Sequence, residues 1–163
     1  MMSDSGATGT PGAGPAVSRT VDPAADPAAD VAAFFWDGCA RREFWLQHCT
    51  SCDAWQFYPR SLCAHCWAPT GALEWRRPGG GAVLQSFSVV HRGSGAFAEH
   101  APYVVALVRL DEGPVMMSNV VGDVVGDVVG LAIGARLELG FAERAGRVVP
   151  VFARAGEPAP GPS

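Results

Sequence analysis

Residues 49–66 read CTSCDAWQFYPRSLCAHC, in which ten residues separate two Cys-x-x-Cys pairs. Two residues between paired cysteines let both sulfurs reach one ion, and two such pairs supply the four thiolates of a tetrahedral site. We therefore predict one structural Zn²⁺, or iron of the rubredoxin kind, bound by Cys49, Cys52, Cys63 and Cys66. A reduced or disulfide-linked set without metal is the alternative.

A metal with four thiolate ligands has no open coordination position, so we do not expect it to activate water or substrate. Its expected role is to stabilise the fold, since residues 43–76 are too few to form an apolar core by themselves. Cys39 is the remaining cysteine. We interpret it as a small buried hydrophobic residue rather than a nucleophile.

The composition narrows the class of protein. Of the 163 residues, 48% are hydrophobic and 17% charged, which is enough apolar material for a core. The net charge is −4 and every cation is Arg, so the overall field does not favour nucleic acid. No stretch approaches the roughly 20 apolar residues of a membrane span. Because the start lacks a secretory signal, we expect reduced thiols, a cytoplasmic location and no membrane association.

Pro, Gly and Ala dominate both ends of the chain, and such segments bury too little surface to offset their ordering entropy. The domain organisation that we predict has four parts: a disordered tail at 1–29, a helix plus zinc ribbon at 30–78, an OB-fold barrel at 79–153 and a second disordered tail at 154–163.

The predicted helix begins after Asp30 as N-cap, runs through VAAFFW at 31–36 and ends near Gly38. Three consecutive aromatic residues cannot all face one core. Part of this helix is therefore expected to pack on another molecule or across the junction between the two halves. A helix buried on two sides is the alternative.

Beyond Gly79-Gly80-Gly81 the chain is rich in Val, Phe, Leu and Ile. Asp111–Pro114 is a tight hairpin signal, and residues 122–134 predict a short helical turn or an ordered loop. Five strands with an excursion after the third indicate a mainly β fold with an OB-type barrel, and a small open sandwich is the alternative. The predicted strands are Ala82–His91, Tyr103–Leu110, Val115–Val121, Ala135–Ala142 and Val148–Phe152.

The segments follow a specific order. An aromatic-rich helix precedes C-x-x-C, the step YPR at 58–60, a second C-x-x-C and a strand with Trp75. A Gly-rich entry then leads to APYVVALVRLDEG at 101–113 and a late IG at 133–134. Across about residues 31–153 this order resembles a family of zinc-ribbon (rubredoxin-like) plus OB-fold proteins. That family was long catalogued as a domain of unknown function and is linked to acyl-CoA metabolism.

This resemblance implies a role without catalysis of its own. Members of the family are typically non-catalytic partners of thiolases, acyl-CoA retro-aldolases or acyltransferases. The small protein docks on the thiolase-like subunit and completes its acyl-CoA channel, and some relatives are fused or bound to hydratases of the hot-dog fold. We therefore expect an accessory subunit whose partner is a thiolase-like protein, with acyl-CoA at the shared interface.

Two departures from the family pattern affect the local shape. Knuckles often place Gly after the second Cys, where φ is positive, but here Asp53 and Trp67 follow. Asp tolerates that conformation and Trp does so poorly, so we expect the second knuckle to differ in shape. Tyr58 stands where the family often has a second Pro.

Arg60, Arg92 and Tyr103 are the residues that we predict to contact acyl-CoA or the partner. For the arginines the alternative is an ordinary solvated surface, and for Tyr103 it is core packing. His91 and His100 flank a Gly-rich loop, a good place for a binding rim. The sequence places no oriented partner beside either histidine, so we predict no catalytic residue.

Two other functions are alternatives to the accessory role. Zinc ribbons and OB barrels both bind single-stranded nucleic acid, which requires a basic groove interleaved with aromatic residues. The first predicted strand contains no Arg before His91, which argues against that function. An independent enzyme is the third hypothesis. It has the least support, because His48 and His65 lie beside ligand cysteines, where we expect solvent-facing or ligand-supporting roles.

Overall fold

The computed structural model describes residues 31–122 and 131–156. An α-helix, α1, precedes a three-stranded antiparallel sheet with the order β2-β1-β3. This sheet carries the cysteine pairs. The elements are α1 (Ala33–Ala40), β1 (Leu46–Cys49), β2 (Trp55–Gln56) and β3 (Leu73–Arg76).

The next strands form a closed barrel with the order β4-β5-β6-β8-β7. They are β4 (Gly81–Val90), β5 (Tyr103–Leu110), β6 (Val115–Val120), β7 (Arg136–Arg144) and β8 (Arg147–Arg154). β6 and β8 pair in parallel, at the single register position Val120–Phe152, and the other neighbours are antiparallel. The predicted mainly β fold, a zinc ribbon followed by a five-stranded OB-type barrel, is confirmed, and the open sandwich is wrong.

The bounds of β5 were predictable because a run rich in Val and Leu is flanked by Pro102 and by the turn residues Asp111–Pro114. β5 spans the predicted Tyr103–Leu110, and its buried residues Val104, Ala106, Val108 and Leu110 follow the period of two that a strand requires. The other strands differ from prediction by one or two residues at an end. β4 contains a register shift between Leu84 and Ser86. Of the predicted excursion at 122–134, residues 123–130 lie outside the described residues.

The β5–β6 turn confirms the predicted hairpin. Gly113 adopts φ 110°, and its N–H donates to the Leu110 carbonyl at 2.9 Å. Asp111 accepts two hydrogen bonds from Arg136, at 2.6 and 2.7 Å, and so ties this turn to the start of β7. A Cβ at Gly81 would lie 2.2 Å from Asp111 Oδ2, so the Gly-rich entry allows a close approach of the chain to this ion pair.

Helix α1 packs at the junction between the ribbon sheet and the barrel strand β8. Its middle aromatic, Phe35, is fully buried against Phe44 and Phe57. Phe34 stacks at 4.7 Å on Trp75, and Trp36 donates a 2.8 Å hydrogen bond to Tyr58. These contacts support a helix buried on two sides.

The helix has Ala32 at its N-cap position, whereas Asp30 lies outside the described residues. A Cβ at Gly38 would lie 2.6 Å from Trp45 Cδ1, so this glycine lets the helix end against the ribbon. In the described ranges no helix combines the length and the apolar character that crossing a membrane requires.

Candidate functional site

The four predicted ligand cysteines converge on one point. Their Sγ atoms all lie within 4.8 Å of one another, and the Cys49–Cys66 and Cys52–Cys63 pairs are 3.7 Å apart. A tetrahedral zinc site with Zn–S bonds of about 2.3 Å separates its sulfurs by roughly 3.8 Å. A disulfide would require about 2.05 Å, so these thiols are unlinked. The four cysteines are therefore positioned to hold one metal ion with a closed thiolate set.

The two cysteine knuckles have the same backbone geometry. In the first, Cys49 N–H donates to Ala54 O at 2.8 Å and Asp53 N–H donates to Cys49 O at 2.9 Å. In the second, Cys63 N–H donates to Ala68 O at 2.9 Å and Trp67 N–H donates to Cys63 O at 3.0 Å. The ligands are thus presented by two equivalent turns.

The expected difference in shape at Trp67 is wrong. Asp53 has φ 59° and Trp67 has φ 63°, so both occupy the left-handed region. A bulky residue is disfavoured there, but the turn hydrogen bonds hold the backbone in this conformation. The side chains do differ. Asp53 lies 2.9 Å from Nε2 of buried His48, whereas Trp67 is 76% exposed.

Backbone donors stabilise the thiolate form at the second knuckle. The N–H groups of Cys66 and His65 both donate toward Cys63, the latter at 3.4 Å, and they lower the pKa of the Cys63 thiol to about 6. A ligand sulfur must be deprotonated to bind metal, so these donors favour ligation by Cys63. Hydrogen bonding with the neighbouring thiols instead raises the pKa of Cys52 to about 12. Burial instead raises the pKa of Cys39 to about 11. Cys39 is fully buried, as predicted for a small hydrophobic residue, and its lack of a nucleophilic role stays a prediction.

A buried network of polar side chains next to the four cysteines was not predicted from the sequence. The Gln47 side chain accepts from Arg60 N–H at 2.8 Å and donates to Arg60 O at 2.9 Å. Gln56 donates to Gln47 at 2.7 Å and accepts from Ala64 N–H at 2.8 Å. Both glutamines are about 95% buried. The two glutamine side chains thus take the place of backbone strand pairing and hold residues 60–64, the segment that carries Cys63.

The structure separates the residues that we predicted for acyl-CoA or partner contact. Arg60 and Arg92 are exposed, and no described contact joins them to each other or to Tyr103. Tyr103 stacks loosely on Phe97, with ring centroids 6.0 Å apart. His91 is exposed, and His100 lies near Phe97. Their proposed roles stay predictions.

Tyr103 lies at a cavity that the sequence did not reveal. This space, hereafter the junction cavity, has a volume of about 380 Å³ and lies where β6 and β8 meet α1 and the ribbon. Its wall is mainly apolar and includes Trp36, Phe57, Met117 and Val149, with Arg144 as its charged member. The residues come from distant parts of the chain, so no local pattern signals them.

Two family models match this chain in the order that the fold requires. "ChsH2, rubredoxin-like zinc ribbon domain" matches residues 36–73, and "ChsH2, C-terminal OB-fold domain" matches residues 75–142. The solved structure of the Ltp2-ChsH2(DUF35) aldolase contains a chain that is 30% identical, with a TM-score of 0.64. The match covers 80% of this chain and 99% of that one. The chain belongs to the ChsH2 family.

Curated relatives of this ChsH2-family chain are longer than the part it matches. A probable enoyl-CoA hydratase alpha subunit of Thermomonospora curvata is 33% identical over 93 residues, 55% of this chain and 27% of the relative. A DUF35 domain-containing scaffold protein of Methanocaldococcus jannaschii is 34% identical over 73 residues, 45% of this chain and 51% of the relative. The chain therefore spans about a quarter to a half of these relatives.

Proposed function

We propose that this ChsH2-family chain is a non-catalytic accessory subunit that binds a thiolase-superfamily enzyme and helps to form its acyl-CoA site. The observation that carries the proposal is the match across 99% of the ChsH2(DUF35) chain of an aldolase complex. Relatives described as a scaffold protein and as a hydratase subunit support an accessory role within an enzyme assembly.

The metal chemistry supports the same proposal. Zn²⁺ is the ion that we assign, because a compact tetrahedral four-sulfur set suits it, and iron would use the same ligands. Bound by Cys49, Cys52, Cys63 and Cys66, the ion would supply folding free energy rather than a reaction centre. A reducing, cytoplasmic compartment would keep these thiols available for metal.

An exposed apolar surface offers a docking face for the partner. On the outside of the barrel, Leu107 of β5 lies directly opposite Met117 of β6, and these side chains are 43% and 70% exposed. Val115, further along β6, is 38% exposed. Adjacent exposed aliphatic residues on one sheet face are typical of protein interaction sites. We call Leu107, Val115 and Met117 the β5–β6 face.

The test is co-expression with the thiolase-superfamily proteins of the same organism. We expect a stable heteromeric complex on size-exclusion chromatography, and we expect the double variant Leu107→Glu, Met117→Glu to abolish it. Ile133→Glu is the matched control, because Ile133 is 71% exposed but lies outside the β5–β6 face. The control should retain the complex.

The competing function gives a different result in the same preparation. A chain that stays alone at micromolar concentration and retards single-stranded DNA would support the nucleic-acid-binding alternative. A chain that turns over a thioester by itself would support an independent enzyme. Either result would contradict the accessory role.

A further inference from the structure

The junction cavity exists because one pair of barrel strands separates early. β6 and β8 share the register pair Val120–Phe152, and Val121 N–H donates to Phe152 O at 2.8 Å. Towards Pro150 the strands are joined by a side chain, with Ser118 Oγ donating to Pro150 O at 2.8 Å. Pro150 has no N–H to donate. The space between the diverging strands is covered by α1 and by Phe57 from the ribbon.

The size and wall chemistry suit a small apolar ligand. A volume of about 380 Å³ lies within the range of about 300–1,000 Å³ that ligand pockets occupy. At about 30 Å³ for each water-sized group, it holds on the order of a dozen non-hydrogen atoms. Phe35, Met116 and Val149 contribute apolar surface inside it, and methionine adapts to chains of differing shape.

The polar groups at the cavity are few and retain bonding capacity. Arg144 uses Nη1 for the Glu143 carbonyl at 2.8 Å, and within residues 31–122 and 131–156 no other acceptor contacts its guanidinium. Asn119 donates through Nδ2 to Val104 O at 3.0 Å, which leaves its amide oxygen as an acceptor. No acidic side chain is among the described residues that line the cavity. The site therefore favours an apolar molecule with a negative or carbonyl oxygen.

We propose that the junction cavity binds an aliphatic acyl chain, with its carboxylate or thioester oxygen at Arg144. The choice of acyl chains as the ligand class rests on the proposed function. The location of the site rests on the wall and charge of the cavity alone. An acyl chain of about eight carbons fits the volume of roughly a dozen atoms. Free carboxylates and coenzyme A thioesters share this chemistry.

The experiment is calorimetric titration of the full-length, zinc-loaded chain with octanoate, octanoyl-CoA and coenzyme A. We expect octanoate and octanoyl-CoA to bind, and coenzyme A without an acyl chain to bind at least tenfold more weakly. Binding of octanoyl-CoA but not octanoate identifies the thioester as the ligand source. Binding of both identifies the acyl chain itself as sufficient.

Two variants locate the ligand. Val149→Phe fills the cavity and should weaken both probes at least tenfold. Arg144→Gln should weaken octanoate binding at least tenfold while leaving the zinc content at one ion per chain. The matched controls are Val31→Phe, an exposed valine before α1, and Arg109→Gln, an exposed arginine of β5, neither of which lines the cavity. Both should bind within twofold of wild type.

Three outcomes overturn the proposal: no heat with any probe, equal binding in wild type and Val149→Phe, or binding that follows the coenzyme A part alone. Size-exclusion chromatography with the partner separates this result from the proposed function. If Val149→Phe prevents the complex and the free chain binds no probe, the cavity is a protein-docking site. If the complex forms and no probe binds, the accessory role stands without the acyl site.

Discussion

The ribbon and the barrel lie side by side but are held together by different forces. All the buried polar side chains of the described residues, Gln47, His48 and Gln56, lie in the ribbon. The barrel instead surrounds fully buried apolar residues such as Leu137 and Phe152. The ribbon therefore adds buried side-chain hydrogen bonds to an apolar cluster that it shares with the barrel, which contains Trp45 and Trp75 as well as Leu137 and Phe152.

The chain also provides a way to observe the two regions separately. Its five tryptophans all lie between Trp36 and Trp75, in α1 and the ribbon. Tryptophan fluorescence therefore reports on the metal-dependent region. Amide exchange of β5 and β7 reports on the barrel.

Removing a metal ligand should have the largest effect. Structural zinc contributes apparent binding free energies of about 10–16 kcal/mol in small domains, so Cys63→Ser or a strong chelator should unfold the ribbon. We expect a large change in tryptophan fluorescence while the β5 amides stay protected from exchange. Elemental analysis should give one zinc per wild-type chain.

Cys39→Ala is the matched control, since this cysteine is buried but is not a ligand. It should retain the zinc and cost about 1 kcal/mol, as buried truncations commonly do. If the barrel amides of Cys63→Ser lose their protection from exchange, the ribbon and the barrel unfold as one unit. That result would contradict their independent unfolding.

A truncation in the barrel core tests whether the barrel can be destabilised while the ribbon keeps its zinc. Phe152→Ala removes a fully buried ring and should lower the free energy of unfolding by about 3–5 kcal/mol. Denaturant titration followed by amide exchange measures this loss. Zinc content should stay at one ion per chain, and a loss of zinc would contradict the independence of the ribbon.

The sequence predicted what is encoded locally. Cys-x-x-Cys spacing specifies a metal knuckle through a few bonds, and a Val- and Leu-rich run that ends at a turn signal specifies β5. The OB-type barrel followed from the five strand-like runs and from the excursion after the third. These features require only neighbouring residues.

The remainder depends on contacts between distant residues. Gln47 and Arg60 are 13 positions apart, and nothing at either position indicates that a side-chain amide pairs with a backbone. Local sterics predicted a different turn at Trp67, but the backbone hydrogen bonds of the knuckle hold it at positive φ. The junction cavity combines residues from α1, β6 and β8, so no sequence pattern revealed it.

The buried glutamine gives a smaller effect that is specific to the ribbon. Gln47→Ala leaves Arg60 N–H and O without their side-chain partner. An unsatisfied buried group costs about 1–3 kcal/mol. We expect faster exchange of the Arg60 amide and a lower unfolding midpoint by tryptophan fluorescence. Gln85→Ala, in the half-exposed part of β4, should change neither measurement.

The two knuckles provide a stabilising substitution. Trp67 is mostly exposed and has a positive φ, a conformation that costs about 1–2 kcal/mol for a residue with a Cβ. Trp67→Gly should therefore raise the ribbon stability by about 1 kcal/mol in chelator competition. Asp53→Gly loses the contact with His48 and should not stabilise. Equal effects would mean that the side chains do not distinguish the knuckles.

The smallest effect is a pH dependence of the barrel. Hydrogen bonding by Arg136 lowers the pKa of Asp111 below its ordinary 3.8. A carboxylate with a lowered folded pKa contributes stability above its unfolded pKa and loses it as pH falls through the folded value. Arg136→Gln should thus weaken the barrel slightly at pH 7 and not at pH 2. Because this pair is exposed, added salt should erase the difference.

The short seam between β6 and β8 gives the barrel a preferred line of deformation. The other four strand pairs are antiparallel ladders of three to eight register positions, whereas this one has a single register pair. Under heat or mechanical force, we expect β6 and β8 to separate first, which opens the barrel into one continuous five-stranded sheet. The closed barrel is thus a single curved sheet whose two edge strands, β6 and β8, pair at one register position.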